Sequence, residues 1–528
     1  MSLSRRSFIA APLAIPAVAR FGAAQAQTPR DVVVFARHIG DILSLDPAEA
    51  YEFSSNEVCT NCYRKLVRPY GATIRGDLAE SWEVSPDRLR FTFKLRPGQV
   101  FDGGAPVTAD DVAFSLQRAV ILGKPPSFIL TQFGFDKSNA ASRIRATDPG
   151  TVTIELTDAR ATSFVLYCLS ANVASILEKK RVLANERDGD LGNQWLKGHS
   201  AGAGPFRLIG YNANEQVTLE ANPNHATPVQ LRRILIRHVP DSSVQFLMLQ
   251  RGDADIARDI DADRIKTLRN DANFNLVSSG QGTQMYISMN TSVPELSKPQ
   301  VHEAVKWAID YDGIAENVTP GTWSVHQAFL PAGMPGSIAD RPYRRDVARA
   351  KQLLAEAGYP DGFAIEVDHY GSPPFFDVAQ ALQRNLADVG IRASLLSADP
   401  RQVLTKSRQR TSKMALLRWS TDYFDPNSNA QYFCENDDNS ENNQLRVMAW
   451  RSHWIDPELT AAVRQAAREA DDAKRIAIYE DMQRQHFKRG PTSFLLQRNE
   501  VAVLRRGVTG LQLGLTADYT RYEAIQKS

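Results

Sequence analysis

LAESWEVSPDRLRFTFKLRPG, residues 78–98, contains the pattern on which the fold turns. Phe91, Phe93 and Leu95 alternate with Thr92, Lys94 and Arg96, and Pro97-Gly98 closes the run. A period of two with one apolar side predicts a half-buried strand ended by a turn. Shortly after it, Thr108-Ala-Asp-Asp111 has the form of a capping box, which predicts a helix from Asp110 to about Val120. The same switch recurs along the chain. Asp31-Val-Val-Val-Phe-Ala36 reads as a strand. Pro299 starts a helix whose apolar face is Val301, Ala304, Val305, Ala308 and Ile309. Val347 to Ala357 is another helix, stopped by Gly358 and Pro360, and residues 457–488 read as two more. Alternating periods mean mixed α/β structure. A chain of 528 residues exceeds what one core organises, so two or three domains are expected. No repeat or low-complexity linker separates them, which predicts ordered crossings between lobes.

Composition is 43% apolar and 23% charged with a formal net charge of +2, so no basic excess asks for nucleic acid. Residues 1–26 read as an export signal. Arg5-Arg6 precede Ser7-Phe8, a short apolar stretch runs to Ala19, and Ala24-Gln25-Ala26 is an A-x-A site with cleavage after Ala26. The arginine pair resembles the twin-arginine motif, with a general secretory signal as the alternative. Residue 27 is Gln rather than Cys, so no lipid anchor is expected. No later run of 18 apolar residues occurs, and the mature product is expected to be soluble in the periplasm. Such a compartment permits disulfides among Cys59, Cys62, Cys168 and Cys434, or leaves them as buried thiols.

Catalytic patterns are scarce. Gly198-His-Ser200-Ala-Gly202 spells the nucleophile elbow G-x-S-x-G, but a poor strand precedes it and Gly204-Pro205 follows where a helix should start. A hydrolase using Ser200 is therefore a remote alternative. Cys59-x-x-Cys62 lacks the strand that a redox motif follows, and none of the nine histidines pairs at zinc-ligand spacing. Asp259-x-Asp261-x-Asp263 fails as a calcium loop, because Arg264 and Asn270 stand where the turn glycine and bidentate glutamate belong. No catalytic, metal or cofactor site is assigned, and binding is the better expectation.

Several segments then fall into register together. Leu45-Asp46-Pro47, the block 78–98 with Phe101-Asp-Gly-Gly104 and Val107 to Val112, Gly202-Ala-Gly-Pro-Phe206, Gly252-Asp-Ala-Asp255-Ile256, Ala304 to Asp310, and Ala350 to Pro360 occur in order. Over nearly the whole mature chain this resembles the periplasmic solute-binding proteins of the peptide/nickel type that feed ABC importers, the bacterial extracellular family 5. The resemblance implies a large two-lobed α/β periplasmic-binding-protein fold with the ligand cleft between the lobes. Lobe I would span 27–281 with an extra subdomain at about 77–200. Lobe II would span 282–500, and 501–528 would return to lobe I. Strands near Met285–Asn290 and Val501–Leu504 would be the hinge crossings.

The family's function implies a non-enzymatic monomer that captures short peptides and hands them to inner-membrane permease subunits driven by cytoplasmic ATPases. An opine, a metal chelate or an oligosaccharide is the alternative cargo. In peptide-binding members a tryptophan is followed three residues later by an aspartate that receives the ligand's α-ammonium. Trp419 and Asp422 match that spacing. Tyr423 would add a hydroxyl or a ring face, and the peptide backbone would lie along residues 283–288, which brings in Gln284 and Tyr286. No arginine is assigned to a ligand carboxylate, since Arg418 would point opposite to Trp419 on a strand. The polar run 434–443 is read as a solvated loop, or as a cation-favouring cleft mouth.

Overall fold

The structure is a computed structural model that describes residues 28–528 except residue 72; the export signal and Ala26 lie outside the described residues. Eleven of the described strands join one hydrogen-bonded sheet. At its centre Phe274–Met289 and Thr492–Arg505 run antiparallel along most of their length. On one side Met414–Ser420, Ala364–Tyr370 and Arg392–Ala398 follow in turn, and on the other Ile256–Ala257, Val32–Arg37, Arg233–His238, Gln216–Ala221 and Phe206–Asn212. Each flank carries its own core. Phe35, Leu45, Cys59, Leu219, Ile234 and Tyr522 belong to one. Met285, Val305, Leu353, Leu382, Leu416 and Phe494 belong to the other.

The strand expected at 89–98 forms as Arg90–Leu95, with Phe91 and Phe93 fully buried while Arg90 and Lys94 face water. It lies in a separate four-stranded sheet with Ala79–Val84, Thr151–Glu155 and Ile144–Asp148. The helix expected after it is Ala109–Leu122. Both arms of its capping box form: Asp111 N–H donates to Thr108 Oγ1 at 3.3 Å, and Thr108 N–H to Asp111 Oδ2 at 2.9 Å. This sheet and helix enclose a third core of Phe91, Phe93, Val112, Leu116, Phe133 and Phe164. The later helices form as Pro299–Ala308, Val347–Glu356, Pro457–Ala466 and Asp472–Arg489.

The central strand pair loses its register between Gly280 and Gln284. Residues 285–289 and 501–504, the segments expected as crossings, belong to this central pair and are anchored in the cores on its two sides. The irregular piece between Gly280 and Gln284 lies where this pair passes from one flank to the other. A buried ionic network pins it. Glu500 accepts from Arg258 Nη2 at 2.7 Å and from Gln281 Nε2 at 3.0 Å. Arg258 Nη1 and Arg37 Nη1 each donate to Glu57 at 2.7 Å, and Tyr522 Oη donates to it at 2.6 Å. Burial alone would raise the Glu57 pKa, but Arg258 and Arg37 outweigh it and hold the carboxyl at about 2.

Asp46 of the Leu-Asp-Pro segment is fully buried and bidentate with the equally buried Arg118, at 2.8 and 2.6 Å, with Asn193 Nδ2 adding a third bond at 2.6 Å. At the far end of the chain Lys527 Nζ donates to Val32 O at 3.2 Å and Thr28 O at 2.9 Å and pairs with Asp255 at 2.8 Å.

Candidate functional site

A cleft of about 790 Å³ opens over the join between the two flanks. Gln281, Thr283 and Glu500 contribute to its lining at the join. Tyr51, Glu52 and Phe128 line it from the first flank, and Leu404, Arg418, Trp419, Asp422 and Tyr432 from the second. Met414–Ser420 ends in this space, which is why consecutive residues 418–422 all reach it.

Trp419 and Asp422 share the cleft. The indole stacks on Tyr432 with ring centroids 4.5 Å apart and planes 12° from parallel, and meets the Phe433 edge. Such packing fixes its plane and leaves an apolar surface for a guest. Asp422 follows the strand, where its N–H donates to Ser428 Oγ at 3.2 Å. Its carboxylate accepts a 2.6 Å hydrogen bond from the Tyr51 hydroxyl, which comes from the opposite wall. Tyr51 is 41% exposed and Asp422 half-buried, so water reaches both from the cleft. Protein nonetheless surrounds the carboxyl, and this desolvation pushes its pKa up to about 6 against the lowering effect of the Tyr51 bond. It is a carboxylate short of a charged partner.

Three of the residues expected at the ligand are elsewhere. Gln284 is fully buried, donates to Ala328 O at 2.7 Å and accepts from Asn429 at 3.2 Å. Tyr286 is equally buried, packed against Phe433 and Phe494 with its hydroxyl on the Met448 sulfur. Their strand cannot take a peptide along 283–288 either, because both of its edges are filled: Thr283–Met289 pair with 414–420, and Gln284–Ser288 with 492–497. Tyr423 points away from the cleft and stacks on Phe164 at 6.0 Å, inside the third core beside the four-stranded sheet. A strand buried on both faces gives no sequence cue for which residues meet the cleft.

Tyr51 and Arg418 are the residues that sequence reasoning did not assign. Arg418 does lie on the strand face opposite Trp419, yet it reaches the cleft because the strand ends there. The polar run 434–443 is a folded loop away from the cleft. Arg464 binds Glu435 at 2.8 Å and Asp437 at 2.6 Å, and Asn436 donates to Trp454 O at 2.9 Å.

The catalytic-looking motifs have structural explanations. Ser200 is buried, and its Oγ accepts from Leu208 N–H at 3.0 Å. His199 stacks on Trp195 instead of approaching it. Gly202 and Gly204 pack on the end of the helix Phe53–Cys62, where a Cβ on Gly204 would stand 2.4 Å from the Cys62 carbonyl carbon. All four cysteines are buried free thiols, so no disulfide joins them. Burial pushes the Cys59 thiol up to about 12 and the Cys62 thiol well above its ordinary value, the reverse of an activated nucleophile. Asp261 caps the helix Ala262–Leu268.

Comparison with known proteins finds solute-binding relatives. The profile described as bacterial extracellular solute-binding proteins, family 5 Middle, matches residues 73–441. The probable D,D-dipeptide-binding periplasmic protein DdpA of Escherichia coli (strain K12) is 26% identical over 512 residues, 96% of each chain. The glutathione-binding protein GsiB of Salmonella typhimurium is 26% identical over 491 residues, 91% of each chain. Among solved structures, the periplasmic binding protein DppA of Helicobacter pylori, in complex with the peptide STSA, superposes with a TM-score of 0.76 at 26% identity, covering 94% of this chain and 98% of that one. CtaP of Listeria monocytogenes shares the fold with a TM-score of 0.81 at 20% identity, covering 94% and 99%. The chain belongs to the bacterial extracellular solute-binding proteins of family 5, and is the substrate-binding component of an ABC transporter, a receptor and not an enzyme.

Proposed function

We propose that this receptor captures short peptides by their free amino terminus in the periplasm and delivers them to its permease. The observation that carries the reading is Asp422: a half-desolvated carboxylate at the end of a strand, with an aromatic surface beside it and a neutral hydroxyl as its side-chain partner. An α-ammonium loses strong hydration on entering a cleft, and a carboxylate restores it. Such a charge-assisted contact contributes roughly 1.5–3 kcal/mol. On the side facing Ala364–Tyr370, Met414–Ser420 has no strand partner beyond Leu416 among the described residues, so a peptide main chain has somewhere to pair. Relatives named for a dipeptide and for glutathione, and one solved with a tetrapeptide, agree with this cargo class.

Closing follows from the two-flank design. The hinge is the irregular piece between Gly280 and Gln284, and the ligand favours closure only through contacts it gains in the closed form. On this reading the lobes are 27–281 and 282–500, with 501–528 returning to the first; the two separate cores and the large sheet's two flanks support that division.

Calorimetric titration with a tripeptide and its N-acetylated twin tests the reading. Acetylation is expected to weaken binding at least tenfold, and Asp422→Asn to bring the two ligands to similar affinity. Equal binding of the two by the unaltered protein would refute an amine-first site.

A further inference from the structure

Three cleft arginines stand out because, among the described residues, no carboxylate pairs with them. Arg408, Arg418 and Arg451 all line the cleft, and among the described residues none forms an ion pair. Arg451 donates only to neutral oxygens, Tyr432 Oη at 3.0 Å and Arg446 O at 3.0 Å. Arg418 is reached by water within the cleft but is crowded by protein, and desolvation lowers its pKa; Tyr370 opposes that shift, Arg498 adds to it, and Asp41 opposes it from the other wall. Tyr370 and Tyr432 line the same cleft as the three arginines, and the Arg451 bond to the Tyr432 hydroxyl ties that ring into the group. Arg498 is tied to Glu500 at 3.6 Å.

Among the described residues none of the cleft's acids forms an ion pair with these three arginines, and most are held by other groups; Glu52 accepts from Ser55 Oγ at 3.3 Å and from Tyr51 N–H at 3.4 Å. Asp259 accepts from His38 N–H at 2.7 Å, Glu500 from Arg258, and Asp518 pairs with Lys65 at 3.6 Å. Asp422 is held by Tyr51. Asp41 accepts from Ser54 N–H at 3.2 Å, and its other oxygen is buried without a partner. Closing a cleft over guanidinium groups without a counter-ion is costly, and a planar carboxylate satisfies such a group bidentately. One peptide terminus supplies a single carboxylate, too little for three arginines.

We infer that the cargo carries at least two carboxylates besides its ammonium, so that among short peptides the cleft selects acidic ones, with Arg418 as the central carboxylate receptor and Arg408 and Arg451 around it. The inference rests on the amine-first reading above. It adds a net negative charge to the ligand and assigns Arg418 to specificity.

Ala-Glu and Ala-Gln are nearly isosteric and differ by one charge. In calorimetric titrations of the mature receptor, Ala-Glu is expected to bind at least tenfold more tightly, about 1.4 kcal/mol. Arg418→Gln should pull that ratio towards one, Arg418→Lys should restore part of it, and Asp422→Asn should weaken both peptides alike. A ratio near one in the unaltered protein overturns the inference while leaving the peptide reading intact. So does an Arg418→Gln loss that is equal for both peptides, since Arg418 would then serve closure against Asp41. Should neither peptide bind, mass spectrometry of cargo released by denaturation decides. A non-peptide amine with two or more acid groups sustains the inference and removes the peptide reading; a cargo with fewer acid groups overturns it.

Discussion

Asp422 gives the sharpest quantitative expectation, because burial pushes its carboxyl up to about 6. Only the ionised form attracts an ammonium. As pH falls through about 6, a growing share of empty receptors carries a proton that the ligand must displace. At one unit below that value about one carboxyl in eleven is ionised, so affinity at pH 5 should be roughly tenfold weaker than at pH 7, about 1.4 kcal/mol. On the alkaline side the peptide's own amine deprotonates near 7.7–8.0, so binding should pass through a maximum between the two limbs. Asp422→Asn keeps the shape and removes the charge. It should cost roughly 1.5–3 kcal/mol at neutral pH and flatten the acid limb. Tyr51→Phe removes the hydroxyl that lowers the carboxyl's pKa, so it should move the acid limb upward in pH without abolishing it. The assay is calorimetry with one peptide from pH 4.5 to 8.5. An acid limb that persists unchanged in Asp422→Asn, or neutral-pH affinity within twofold of the parent, would refute the reasoning.

Other consequences can be checked on the fold. Arg118→Met strands the buried Asp46 carboxylate and should destabilise by roughly 3–5 kcal/mol in urea unfolding, with most of it recovered when Asp46→Asn is added; a single-variant loss below about 1 kcal/mol would contradict this. Gly204→Ala drives a methyl into the Cys62 backbone and should lower stability by about 2 kcal/mol or more, whereas Ser200→Ala loses one hydrogen bond, about 1 kcal/mol. All four thiols should resist maleimide at pH 7.5 until denaturant is added; rapid labelling of the native protein would show that these cores open readily. Replacing Arg5 and Arg6 by lysine should leave precursor in the cytoplasm if export runs through the twin-arginine route, and cell fractionation reads the outcome.

What the sequence revealed and what it hid follow from locality. The alternation of Phe91 and Phe93, the Thr108–Asp111 box and the helix at Pro299 are written within a few residues, and each appears where its pattern puts it. Trp419 and Asp422 sit together because they are neighbours near one strand end. Tyr51 joins them only through folding, 371 positions away, and no local signal announces it. Gln284 and Tyr286 fail for the opposite reason: their strand is sandwiched, so alternation no longer separates cleft from core. Arg418 was set aside on the alternation rule, which holds along a strand but not at its mouth, where both faces meet open space.

The contact between Lys527 and the backbone at Thr28 and Val32 brings the two ends of the described residues together. A short Gly/Ser bridge could join them, and a new start could be cut at the exposed bend around Glu441, far along the chain from either end. A dye or fluorescent module placed at the new opening would ride on the second lobe and report its swing, which would turn the receptor into a sensor for its own cargo.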